Sequence, residues 1–115
     1  MAAVTTDQML LPLQQACCHS ALAGSVETLV IDADTLSVVV YLTRAETFIN
    51  VFYNVTTDET AFALVESGHR VYGVDDARKG WREHPFDNPA GHITCASVQF
   101  ESFLEQVEAH CQTAA

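Results

Sequence analysis

The chain has 115 residues, about half of them apolar, with fifteen acidic side chains against five basic ones and a net charge of −10. Such a length supports one domain, 1–115, around one hydrophobic core, and such a composition excludes a disordered chain. No apolar run approaches the roughly 18 residues that a membrane span requires, and MAAVTTDQMLL has no positive region ahead of its short apolar run, so neither an anchor nor a secretory leader is expected and the cytoplasm is the expected location.

In chain order, PLQQACCHSAL predicts a helix of about three turns, with Pro12 at its first position and Leu13, Ala16, Cys17 and Ala21 on one face. The region of Gly24 stops it. A succession of strand patterns follows: 26–32, 36–43, 47–54, 60–66 and 69–76. The β-branched density of LSVVVYLT suggests burial on both of its faces. Ser67-Gly68 reads as a two-residue hairpin turn, and connections this short imply antiparallel neighbours. ARKGWREHPFDNPAG has two prolines, two glycines and no periodicity, and reads as a long irregular loop anchored by Trp81 and Phe86. A closing helix, capped by Ser97, places Phe100, Phe103, Leu104 and Val107 on one stripe that can cover a face of the sheet. The expected fold is α+β: an antiparallel meander of five to six strands with a helix at each end of the chain.

Four of the five basic residues, Arg70, Arg78, Lys79 and Arg82, lie in one stretch with His69, His84, His92 and the only tryptophan, Trp81. From 69 to 92 these cations meet four acids, Asp75, Asp76, Glu83 and Asp87, so the segment is formally neutral while the rest of the chain carries the whole negative charge. A local density of cations in an acidic chain points to an anionic ligand or substrate; the competing expectation is that the cations pair with their own acids. An acidic excess with a single lysine is also what a salt-adapted cytoplasm favours, where screening removes most long-range repulsion of a nucleic acid.

His84 suits proton transfer near neutrality, and His92 joins it if the loop folds back. Arg78, Lys79 and Arg82 suit phosphate, and Trp81 suits stacking on a base. On an extended strand Asp75 and Asp76 point to opposite faces, so one of them can serve a site while the other caps the turn. His69 reads as surface, and His19 and His110 as structural. A metal held by His69, His84, His92 and Asp75 has no ligand-spaced motif behind it, and no cofactor motif is present, so neither a metal nor a cofactor is expected. Cys17, Cys18, Cys95 and Cys111 form no C-x-x-C pair and read as reduced thiols, with Cys17 acting as a small hydrophobe.

The run FINVFYNVTTDETAFALVESGHRVYGVDDARKGWREHPF resembles the TumE-type toxin family of prokaryotic type II toxin–antitoxin systems. The likeness rests on Phe52-Tyr53-Asn54, on Phe62-Ala63-Leu64, and on Asp75-Asp76-Ala77 ahead of Trp81, His84 and Pro85, and it extends over about 26–108. Asp76 stands where that family tends to have Asn. Trp81 and Arg82 stand within what would be a histidine-rich stretch. The resemblance implies a toxin that acts on RNA and is held by an antitoxin partner. With the chemistry above it predicts a small metal-independent ribonuclease. His84 would take the proton of a ribose 2′-hydroxyl, Arg78 and Arg82 would hold the phosphate, and His92 or Asp75 would orient or protonate. Trp81, Lys79, Arg70 and Asp76 would bind substrate. The rival expectation is a noncatalytic module whose 77–90 loop meets a protein partner or a second copy, since Trp81, Phe86 and Arg82 have the composition of an interface centre.

Overall fold

Thr5 and Gln8 start the first helix. The Thr5 hydroxyl accepts from the Gln8 backbone N–H at 3.2 Å and the Gln8 side chain accepts from the Thr5 N–H at 2.9 Å, a reciprocal cap that satisfies two otherwise orphaned donors. Asp7 sits in the first turn, where the helix dipole favours a negative charge. Helix α1 therefore spans Thr6–Cys18. Pro12 lies inside it and not at its first position, as the sequence pattern had predicted. Leu13 and Cys17 are the buried apolar residues, and burial pushes the Cys17 thiol up to about 11, consistent with a packing role. The computed structural model describes residues 5–76 and 80–113.

Seven strands follow: β1 (Ala23–Ile31), β2 (Thr35–Leu42), β3 (Thr47–Asn54), β4 (Glu59–Glu66), β5 (His69–Asp76), β6 (Trp81–His84) and β7 (Ile93–Thr94). They form one sheet in chain order, and every neighbouring pair is antiparallel. The expected meander is present with one or two strands more than the sequence pattern indicated. The extra pairing arises in the segment read as irregular: Trp81–His84 runs back along β5, and Ile93–Thr94 along β6. Ser67 (φ 50°) and Gly68 (φ 81°) make the β4–β5 turn with two positive φ values, as a two-residue turn matched to strand twist requires.

Helix α2 (Phe100–Thr113) begins three residues after Ser97, so Ser97 is not its cap. Its stripe of Phe100, Phe103, Leu104, Val107 and Cys111 joins Leu13 and Cys17 of α1 over one face of the sheet. That face supplies Leu36, Val38, Val40, Ile49, Val51, Phe62, Leu64, Tyr72 and Val74, all buried. Each large apolar side chain so covered contributes roughly 1.5–3 kcal/mol of transfer free energy. The opposite face has no helix on it. Asn50 and Tyr41 are exposed there, Phe48 and Phe52 are half-buried, and Val39, Val65, Gly73 and His84 are buried. LSVVVYLT is thus fully covered on one side and only locally on the other. Among the described residues no helix is long and apolar enough to cross a membrane.

Candidate functional site

Strand register gathers the candidate residues at the β5–β6 end of the sheet. Asp75 lies opposite Arg82, and Gly73 lies opposite His84, so Asp75, Arg82 and His84 share the helix-free face. Arg82 donates from Nε at 3.2 Å and from Nη2 at 3.0 Å to Asp75 Oδ1, while His84 Nε2 lies 2.9 Å from Asp75 Oδ2. One carboxylate therefore binds both neighbours.

Arg70 reaches the same place through an irregularity. Opposite Leu64 and Val65 stand Tyr72 and Arg70, leaving Val71 as an extra residue in β5. In a regular strand Arg70 would point with Tyr72 toward the helices; the bulge turns it to the other face. Its stem crosses Gly73, where a Cβ would lie 3.5 Å from Arg70 Cδ and 3.1 Å from the Phe62 carbonyl oxygen. Glycine thus leaves the lane that Arg70 uses. Arg70 Nη2 then donates to the Pro89 carbonyl at 3.1 Å and approaches His84 Nδ1 at 3.4 Å. A guanidinium only donates, so Nδ1 accepts and Nε2 carries the hydrogen given to Asp75.

His84 is 3% exposed, with both ring nitrogens engaged. It stands on a strand and not in an irregular loop, and its truncation will cost stability that a loop residue would not. The His92 ring packs edge-on against it at 4.6 Å, and His92 itself is exposed. Burial pushes the Asp75 carboxyl up, but the hydrogen bonds from His84 and Arg82, with the Arg82 charge, outweigh it and hold Asp75 below its ordinary range. The Arg82 side chain keeps 37% of its surface exposed and retains donors that Asp75 does not use.

Five sequence candidates, Arg70, Asp75, Arg82, His84 and His92, thus converge. Trp81 and Asp76 face each other across β5–β6 on the opposite, helix-covered side. Arg78 and Lys79 lie outside the described residues. His69 is exposed at the hairpin turn, and His19 is exposed at the end of α1. His110 meets Glu66 Oε1 at 3.2 Å and stacks on Phe86 at 4.0 Å, as a structural residue would. Phe86 also stacks on Tyr72 at 4.1 Å. The Tyr72 hydroxyl donates to Glu83 Oε2 at 2.8 Å, a β5–β6 tie on the helix side that alternation alone would have indicated. Among the described residues no three His, Cys, Asp or Glu side chains gather as a metal site. Cavities of about 520, 430 and 450 Å³ are lined by other residues, so the cluster is a surface feature of the sheet.

The arrangement can bind an anion at Arg82 and move a proton at His92, with Asp75 and His84 fixing the guanidinium. No family model matches this sequence, and neither a curated protein nor a solved structure shows significant similarity to it.

Proposed function

We propose that the chain is the toxin half of a toxin–antitoxin pair and cleaves RNA without a metal. The observation that carries this reading is the convergence of two arginines, two histidines and one aspartate, drawn from 70 to 92, on the helix-free face of β5–β6. In a cleavage of this kind the ribose 2′-oxygen attacks the adjacent phosphorus, the 5′-oxygen leaves, and the products are a 2′,3′-cyclic phosphate and a 5′-hydroxyl. Exposed His92 takes the 2′-hydroxyl proton, and the departing 5′-oxygen takes a proton from water, whose hydroxide recovers the one that His92 holds. The unused donors of Arg82 hold the charge that develops on the phosphoryl oxygens. His84, saturated and buried, is a positioning residue that orders Asp75 and through it Arg82. The test is cleavage of single-stranded RNA in the presence of a chelator, with growth arrest on expression of the chain alone. Cleavage that His92→Ala and Arg82→Ala each abolish in folded protein supports the reading; full cleavage by both variants defeats it.

A second reading, a noncatalytic module, is favoured by the uncovered apolar groups on the helix-free face: Tyr41 is 42% exposed, with Phe48 and Phe52 half-buried nearby. Trp81 and Phe86, expected at an interface centre in the 77–90 loop, are half-buried and pack against the core. Under this reading a protein partner or a second copy covers the face, and expression alone leaves growth unchanged.

A further inference from the structure

On the helix-covered side, Tyr53, Thr60, Asp76 and Trp81 stand in one row across β3, β4, β5 and β6, each opposite the next. Beneath the first half of α1 and the start of α2 this row borders a cavity of about 430 Å³, lined by Tyr53, Thr60 and Trp81 with Met9, Phe62 and Phe100. Its size lies within the range of small-molecule sites. Aromatic rings supply much of the lining, with Phe62 edge-on to Tyr53 at 5.7 Å and to Phe100 at 5.6 Å.

Three polar groups in this lining have no use within the fold. Tyr53 is only 6% exposed, yet its hydroxyl makes no hydrogen bond to any described residue, and the same holds for the Thr60 hydroxyl and the Trp81 indole N–H. None of the three atoms is sealed from solvent, so each keeps a donor or acceptor open at the cavity for polar atoms from outside. Burial also pushes the Tyr53 phenol up, so it stays a neutral donor. Glu101 lines the cavity and Asp76 adjoins it in the row, and among the described residues no Lys or Arg lines it, so an anion is disfavoured.

We propose that this cavity binds a flat, neutral or cationic nitrogen heterocycle, its ring among the aromatic side chains of Phe62, Phe100 and Trp81 and its polar edge toward Tyr53 and Thr60. The site lies on the opposite face of the sheet from the Asp75 cluster, and it stands whether or not the chain cleaves RNA.

Trp81 is the only tryptophan in the chain, so its fluorescence reports on the cavity directly. Benzimidazole is titrated into the full chain, with indene as the ring-matched control lacking nitrogen and naphthalene-2-sulfonate as the anionic one. Saturable quenching by benzimidazole is expected, with indene and the sulfonate at least about five-fold weaker. Tyr53→Phe, which removes a single oxygen, weakens benzimidazole about five- to ten-fold, the scale of one hydrogen bond. Val98→Phe fills the cavity and abolishes binding. Equal binding of indene and benzimidazole, no saturable change, or unaltered binding in Tyr53→Phe would each overturn the proposal. Circular dichroism establishes folding of both variants; should Val98→Phe not fold, the Tyr53→Phe titration decides alone. RNA cleavage by Tyr53→Phe stays at the level of the unmodified chain whenever the two sites are separate.

Discussion

The two faces of the β5–β6 pair use alternate residues in opposite ways. Toward the helices, Tyr72 stacks on Phe86 and Phe103, Val74 is buried, Trp81 packs against the core, and the Tyr72 hydroxyl bonds Glu83. Away from the helices, Asp75, Arg82, His84 and Arg70 form a chain of directional contacts around one carboxylate. The first face holds the fold by area and the second by geometry. Stability and chemistry can therefore be perturbed separately, even though successive residues of one strand serve each.

The largest effect expected from that division is on the packed face. Phe103 is fully buried, so Phe103→Ala should cost about 3–5 kcal/mol. Phe52→Ala on the helix-free face should cost under about 2 kcal/mol. Urea unfolding of both variants measures the gap, and equal losses would mean that the helix-free face is as well packed as the other. Next in size is His84. His84→Ala removes a buried partner of Asp75 and should cost about 1–3 kcal/mol, whereas exposed His92→Ala should change stability by less than about 0.5 kcal/mol. In an RNA assay the order reverses: His92→Ala should lose about 10²–10⁴-fold in rate. Melting each variant beside the assay separates the two roles.

A smaller effect concerns pH. The Asp75 carboxyl is held below its unfolded value of about 3.9. Its contribution is therefore fully present above that value and lost as pH falls through the lower, folded-state one. Unfolding of the unmodified chain and of Asp75→Asn, followed from pH 6 down to pH 2, should show a shallower acid decline in the variant. Parallel curves would mean that Asp75 is not the carboxylate responsible. The mildest effect belongs to the hairpin: Gly68→Ala at φ 81° should cost about 1 kcal/mol in thermal unfolding, without altering the cluster.

The hairpins were legible because alternation and a two-residue turn are local signals, so β3 and β5 carry the bounds that their sequence patterns indicate. The start of α1 was missed: the pattern puts Pro12 at its first position, whereas the Thr5–Gln8 cap starts the helix at Thr6 and leaves Pro12 inside it. The segment after Asp76 misled because its prolines and glycines hide a strand of four residues, too short to show a period. Reading it as a loop placed Trp81, Arg82 and His84 together, whereas alternation sends Trp81 to the other face. The presence of Arg70 in the cluster could not have been read from periodicity, since it depends on one unpaired residue, Val71. The partnership of Arg82 with Asp75 was the competing expectation for the charges, and it leaves the guanidinium with donors to spare.

The order of the sheet, in which each strand lies beside its neighbour in sequence, has a kinetic consequence. Each pairing closes over a short connection, so the entropy lost in bringing strands together is small and is recovered at once by the next ladder. A β-rich protein of this length with crossed connections would have to close long loops before any of them is rewarded. Here the sheet can assemble by successive hairpins, and the distant meetings are those of the helices, α1 with α2 from opposite ends of the chain and α2 with Phe62 and Tyr72 of the sheet. Refolding followed by strand and helix signals should then show the central hairpins forming before the two helices dock.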